Sequence, residues 1–245
     1  MSWLMGPMLG RLTPLKNPSS GQEFPDDWMR EVSCLKAIGA DCLEWIITDA
    51  ENNPLYDADL TSYPIASINL HTLILRKLSF NELEKICFHA VRQGIFKLVL
   101  PMMDASSIQS RDWIKVYKEL SQKYPPLSFS FETELRASEI MADISSSNSF
   151  FITYDTGNAT SYNFDHSKEI EIFNNKINNV HLKDRIASGG ASVEPFTGDT
   201  DFKLIFNKLK NINYHGNLIL ETFRGVVGEE VNTVSRYMKK FKCLI

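Results

Sequence analysis

The chain has 245 residues, 43% hydrophobic and 23% charged, with a net charge of −4 and a pI near 5.8. That composition supports a sizeable core and offers no basic excess for a nucleic-acid partner. Four scattered cysteines, no membrane-length apolar run and a glycine-broken start without a leading positive charge point to a reduced, cytoplasmic protein with no membrane partner.

Taken in order, eight short β-rich runs appear: "MGPMLGRL" (5–12), "DCLEWI" (41–46), "IASINLHT" (65–72), "FKLVLPMM" (96–103), "LSFSFETE" (127–134), "FFITYDTG" (150–157), "NNVHLKDR" (178–185) and "NLILETFR" (217–224). Helical segments separate them. "PDDWMREVSCLKAIG" carries apolar residues near helical spacing and ends on Gly39, and "SFNELEKICFHAVRQG" opens with Ser79 three residues before Glu82 and closes on Gly94. "DWIKVYKELSQKY" stops at Pro125 and Pro126, while "DFKLIFNKLKNI" and "EEVNTVSRYMKKF" complete the series. The stretch between the second and third strands is rich in Asn, Asp and Pro and reads mostly as loop.

Strict alternation of strand and helix predicts a parallel sheet covered by helices. Eight such units in a chain of this length fit an α/β fold of the single (β/α)₈ TIM barrel type, one domain over residues 1–245. An open sheet with a nucleotide site would want a glycine-rich turn after the first strand, and "GRLTP" supplies none.

Alternate strand residues face opposite sides, so each strand can be sorted. Phe129 and Phe131 suit the helix side, which sends Ser128, Ser130 and Glu132 inward. The same sorting sends Thr153 and Asp155 inward on the sixth strand, Asn179, His181 and Lys183 on the seventh, and Ile219 and Glu221 on the eighth. Four consecutive strands therefore each aim a potential ligand inward near the carboxyl end, where barrel active sites are built. Three carboxylates held together would repel one another, and a divalent cation removes that repulsion. The mixed set of three oxygens and one nitrogen suits Mn²⁺, Mg²⁺ or Co²⁺, with Zn²⁺ as a further candidate. From strand sorting alone two readings stand: a metal site, or a structural network of ion pairs.

Glutamate on the fifth strand, "DTGN" on the sixth, "HLKD" on the seventh and "LET" on the eighth also resemble the xylose-isomerase-like barrel superfamily, and more closely its sugar phosphate isomerase/epimerase branch. The resemblance extends to "GRLTP", "IGADCLEWI" and "TGDTDFKLIFNKL", and covers nearly the whole chain. It implies one divalent cation on Glu132, Asp155, His181 and Glu221, with Glu132 and Glu221 also exchanging protons with the substrate as catalytic residues. The implied reaction is isomerisation or epimerisation of a small sugar or sugar phosphate through an enediolate, and a dehydratase would share that intermediate. Members form dimers and tetramers, so a homodimer or tetramer is implied. The chain departs from the family at Asn158, where many members carry histidine, and at Phe196, where relatives have a glycine-rich turn before "GD".

Other polar residues carry paired readings. Glu44 supports a ligand or touches substrate. His71 contacts substrate or sits satisfied at the barrel rim. Lys183 neutralises an enediolate or phosphate, or else pairs with Glu44 or Asp155. Arg11, Arg185 and Arg224 stand at strand exits, where they bind phosphate or face solvent. His89, His166 and His215 are expected to face solvent, and Trp45 to pack beside the site. Two further functions compete. An apurinic-endonuclease-like metallonuclease would need histidines that Asn158 and the five-histidine total do not supply. A barrel that binds sugar without turnover would keep the scaffold alone.

Overall fold

The computed structural model describes residues 3–17, 21–71, 78–102 and 111–245. Its barrel strands are β1 (Leu4–Pro7), β2 (Leu43–Ile47), β3 (Ile65–Leu70), β4 (Lys97–Met102), β5 (Ser128–Thr133), β6 (Phe150–Asp155), β7 (Ile177–Leu182) and β8 (Asn217–Leu220). All pair in parallel in the order β1-β8-β7-β6-β5-β4-β3-β2. A bridge from Met8 to Glu44, with Leu9 N donating to Glu44 O at 2.8 Å, brings β1 back to β2 and closes the ring. The seam is tight: a methyl group on Gly6 would lie 1.7 Å from the Cys42 carbonyl oxygen, so only glycine fits. Thr72 and Met103, the last residues predicted for the third and fourth strands, lie outside the described residues.

Among the described residues the helices are α1 (Trp28–Ile38), α2 (Phe80–Arg92), α3 (Asp112–Lys123), α4 (Ala137–Ile144), α5 (Thr156–Ser161), α6 (His166–Phe173), α7 (Phe202–Asn211) and α8 (Glu230–Lys242). Gly39 stops α1 in a left-handed conformation at φ 72°, and Ser79 with Glu82 forms a reciprocal capping box on α2, both as the sequence predicts. The sequence did not single out α4, α5 or α6. The stretch between β2 and β3 is turn and loop, as its composition predicts.

Phe129 and Phe131 point away from the barrel axis. Phe131 meets Trp113 of α3 at 4.6 Å between ring centres, and Tyr117 covers both phenylalanines. Burial of such rings supplies the main adhesion between sheet and helices, and truncating one typically costs about 3–5 kcal/mol. Their neighbours Ser130 and Glu132 are thereby committed to the interior, where Ser130 Oγ lies 2.7 Å from Thr153 Oγ1.

Candidate active site

Four inward side chains meet at the carboxyl end of the barrel: Glu132 on β5, Asp155 on β6, His181 on β7 and Glu221 just past β8. One ligand atom from each lies within 4.8 Å of the others, and all four residues are buried. His181 is wholly enclosed. Its Nε2 is 2.8 Å from Glu44 Oε1, while Nδ1 faces Glu221 Oε2 at 3.1 Å and Glu132 Oε2 at 3.4 Å. Both oxygens are at ion-pair distance, and Nδ1 completes no hydrogen bond with either.

Glu44 explains the orientation. Its carboxylate receives Ser67 Oγ at 2.7 Å, Asn179 Nδ2 at 3.0 Å and Asn69 Nδ2 at 3.3 Å in addition to His181. Burial alone would raise its pKa, but His181 and these donors bring it below the ordinary carboxylate value. A carboxylate so satisfied fixes one ring nitrogen as donor and leaves the other to face the cluster. It is fully buried, and among the residues of the mouth it contacts His181.

Asp155 divides its oxygens. Oδ1 accepts from Asn158 N at 2.7 Å and caps α5, whereas Oδ2 is buried without a hydrogen bond and lies 3.6 Å from Lys183 Nζ. Glu132 Oε1 accepts from Asn158 Nδ2 at 3.0 Å. Glu221 Oε1 accepts from Lys183 Nζ and Gln22 Nε2, both at 2.8 Å, and Arg11 Nη2 stands 3.7 Å away. These neighbours drive the two glutamates apart. Burial, with Asp155 and Glu221 close by, pushes Glu132 up to about 7 against the opposing pull of His181. Burial acts the same way on Glu221, but Lys183, His181 and Arg11 overcome it and hold that carboxyl well below its usual range.

A cavity of about 470 Å³ opens over the cluster, lined among others by His71, Asn158, Lys183, Phe223 and Arg224. His71 and Arg224 thus reach the cavity expected of substrate contacts. Lys183 reaches it too, paired with Glu221 and Asp155 and not with Glu44. Arg185 instead donates to Asn158 Oδ1 at 3.3 Å and Gly190 O at 3.0 Å, which places it behind Asn158.

Two expectations need correction. His166 is buried, with Nδ1 2.6 Å from Tyr154 Oη and Nε2 3.0 Å from Thr160 Oγ1, and does not face solvent. Trp45 lies behind β2 against Phe24 and Trp28, donating to Asn53 Oδ1 at 2.9 Å, and does not border the site. Sequence reasoning also passed over Asp184. It accepts from the backbone N–H groups of Thr197, Gly198 and Thr200 and so fixes the loop after the Asp184–Arg185/Ser192–Val193 hairpin. A Cβ on Gly198 would lie 2.4 Å from Asp184 Oδ1, so the "GD" glycine is required by this anchor.

The donor set fits a divalent cation. Nδ1 of His181 and Oδ2 of Asp155 are buried, unsatisfied and within reach of two further carboxylates, and buried polar atoms are seldom left so.

A family model described as "Xylose isomerase-like TIM barrel" matches residues 4–241. No curated protein matches the chain. Among solved structures, a D-allulose 3-epimerase from Methylomonas sp. is similar at TM-score 0.76 and 14% identity, covering 99% of this chain and 98% of its own. A xylose isomerase domain protein from Planctomyces limnophilus gives TM-score 0.75 and 15% identity over 99% of this chain and 97% of its own. A xylose isomerase-like TIM barrel protein from Mycobacterium smegmatis, in complex with magnesium, gives 0.69 and 12% over 99% and 96%.

Proposed function

This chain belongs to the xylose isomerase-like TIM barrel family, and from that premise we propose that it is a divalent-metal-dependent isomerase or epimerase of a small sugar or sugar phosphate. The carrying observation is the buried convergence of Glu132, Asp155, His181 and Glu221, with two ligand atoms lacking any hydrogen-bond partner. The similar structures include an epimerase in complex with D-allulose and another with D-tagatose, which supports a ketose as the substrate class.

The four residues would hold Mn²⁺, Mg²⁺, Co²⁺ or Zn²⁺, which when bound would polarise a ketose carbonyl and offset the charge that develops as the adjacent carbon loses its proton. The protein's own groups then divide the proton transfer. Glu221, held ionised by Lys183, His181 and Arg11, takes the proton from carbon. Glu132, the second glutamate of the set, returns one from the opposite side or to the neighbouring carbon. The first outcome is epimerisation and the second isomerisation. Lys183 places an ammonium beside the developing oxyanion, and Asn158 holds Glu132 in register.

The test is deuterium uptake from D₂O into candidate ketoses, with protein loaded in turn with each of the four metals. An isomerase or epimerase incorporates label at a carbon next to the carbonyl. Tight metal binding with no label in any ketose would leave a sugar-binding barrel and overturn the proposal.

A further inference from the structure

Resting on the reading just given, we infer that the substrate carries an anionic group, a phosphate or a carboxylate, at the end remote from the reacting carbons, and that Arg224 recognises it. The geometry comes first. Arg224 lines the same cavity as Glu132 and Glu221. Its Nε donates to Gly21 O at 3.3 Å and its Nη1 to Gly10 O at 2.6 Å and Thr13 O at 3.4 Å. An arginine has five N–H donors, so these bonds leave both donors of Nη2 unused. All three acceptors are neutral carbonyls, and among the described residues no carboxylate comes within ion-pair distance of this guanidinium; Glu31, Glu23 and Glu230 act on it only from further off. Lys183 and Arg11, by contrast, both reach Glu221.

Half-buried charges without a counter-ion in direct contact are costly and seldom kept without use. Burial, with Arg11 nearby, pulls the Arg224 guanidinium down to about 10 although Glu31, Glu23 and Glu230 act on it from a distance in the other direction. Charge across the cavity points the same way. Arg11, Lys183 and Arg224 line it against Glu132 and Glu221, so cations outnumber carboxylates on its wall before any metal is counted. The three carbonyls also fix the guanidinium plane, so a bidentate partner meets a preset fork.

Three ketoses differing only at C6 test this: D-fructose, D-fructose 6-phosphate and D-fructuronate. Deuterium uptake gives kcat/KM for each, and calorimetric titration gives each affinity independently of turnover. The wild type is expected to favour one or both anionic forms over D-fructose by roughly 10- to 100-fold, and added salt should shrink that ratio. The phosphate and carboxylate arms identify which oxyanion fits. Arg224→Gln should collapse the ratio toward one, and Arg224→Lys should keep part of it. Because the ratio is read within each variant, a general loss of activity does not mimic the effect. A wild-type ratio near one, or a ratio unchanged in Arg224→Gln, overturns the inference while leaving the reaction class intact. If no ketose takes up label but the calorimetric preference is present, the anion site stands and the assigned reaction falls.

Discussion

Two groups of buried carboxylates lie a short way apart in this barrel, and they are built on opposite plans. Glu44, rising from β2, is met by four donors from β3 and β7 and has nothing left to bind. Glu132, Asp155 and Glu221, at the mouth, share an imidazole and a lysine and still leave Asp155 Oδ2 and His181 Nδ1 without a hydrogen bond. In the function proposed, the saturated carboxylate would serve as a strut and the under-supplied group as the receptor for the cation. Satisfaction of hydrogen bonds separates the two roles where burial does not, since all of these residues are buried.

The sharpest way to break this contrast is at the mouth. Glu132→Gln and Glu221→Gln are each expected to lower deuterium exchange by roughly 10²- to 10⁴-fold with the fold intact by circular dichroism. Exchange within a few-fold of wild type in both would show that the chemistry lies elsewhere. Glu44→Ala should do the reverse, acting first on stability. Stranding Ser67, Asn69, Asn179 and His181 should cost about 3–5 kcal/mol in denaturant unfolding, and a loss below about 1 kcal/mol would remove Glu44 from its supporting role.

Cation binding sharpens the comparison from the other side. Mn²⁺ at a hundred times its Kd should stabilise the protein by about 2.7 kcal/mol. The gain should vanish in Glu132→Gln/Glu221→Gln, and a gain that persisted there would place the metal outside the mouth. The smallest effect is the pH dependence of that binding. Without a cation, burial raises Glu132 to about 7, and Glu44 and Glu132 outweigh burial to lift His181 well above its usual value. The cation-free protein therefore holds more protons than the loaded one, so affinity rises with pH. Isothermal titration in buffers of different ionisation enthalpy should show proton release, and affinity should climb as pH passes through about 7. A flat profile would mean that Glu132 and His181 do not both lose protons on binding.

Much of this architecture was legible in the chain. All eight strands lie where alternation placed them, within a few residues at their ends, and the inward sorting of Glu132, Asp155, His181 and Glu221 matches the geometry of the mouth. A period of two along a strand is read locally, and barrel closure then converts it into convergence. What the sequence could not show was pairing at long range. Gln22 reaches Glu221 across 199 positions and Glu44 reaches His181 across 137, and no local pattern encodes either meeting. Helices α4, α5 and α6 span eight residues or fewer, about two turns, too short for a clear period. His166 misled because its neighbours "DHSKEI" are polar, while its burial depends on Tyr154 and Thr160, which arrive from β6 and α5.

The pairing of β1 with β8 bears on how the molecule is made. Met5 and Gly6 lie in register with Leu218 and Ile219, so most of the first strand's ladder belongs to residues that leave the ribosome after every other strand of the barrel. Until β8 emerges, the first strand has only its narrow seam with β2 available for pairing. An unpaired strand edge held until its partner is made is where nascent chains associate wrongly. Slow elongation over β8 would prolong that exposure, and in a cell-free system the yield of folded protein should fall when the codons for residues 217–220 are read slowly.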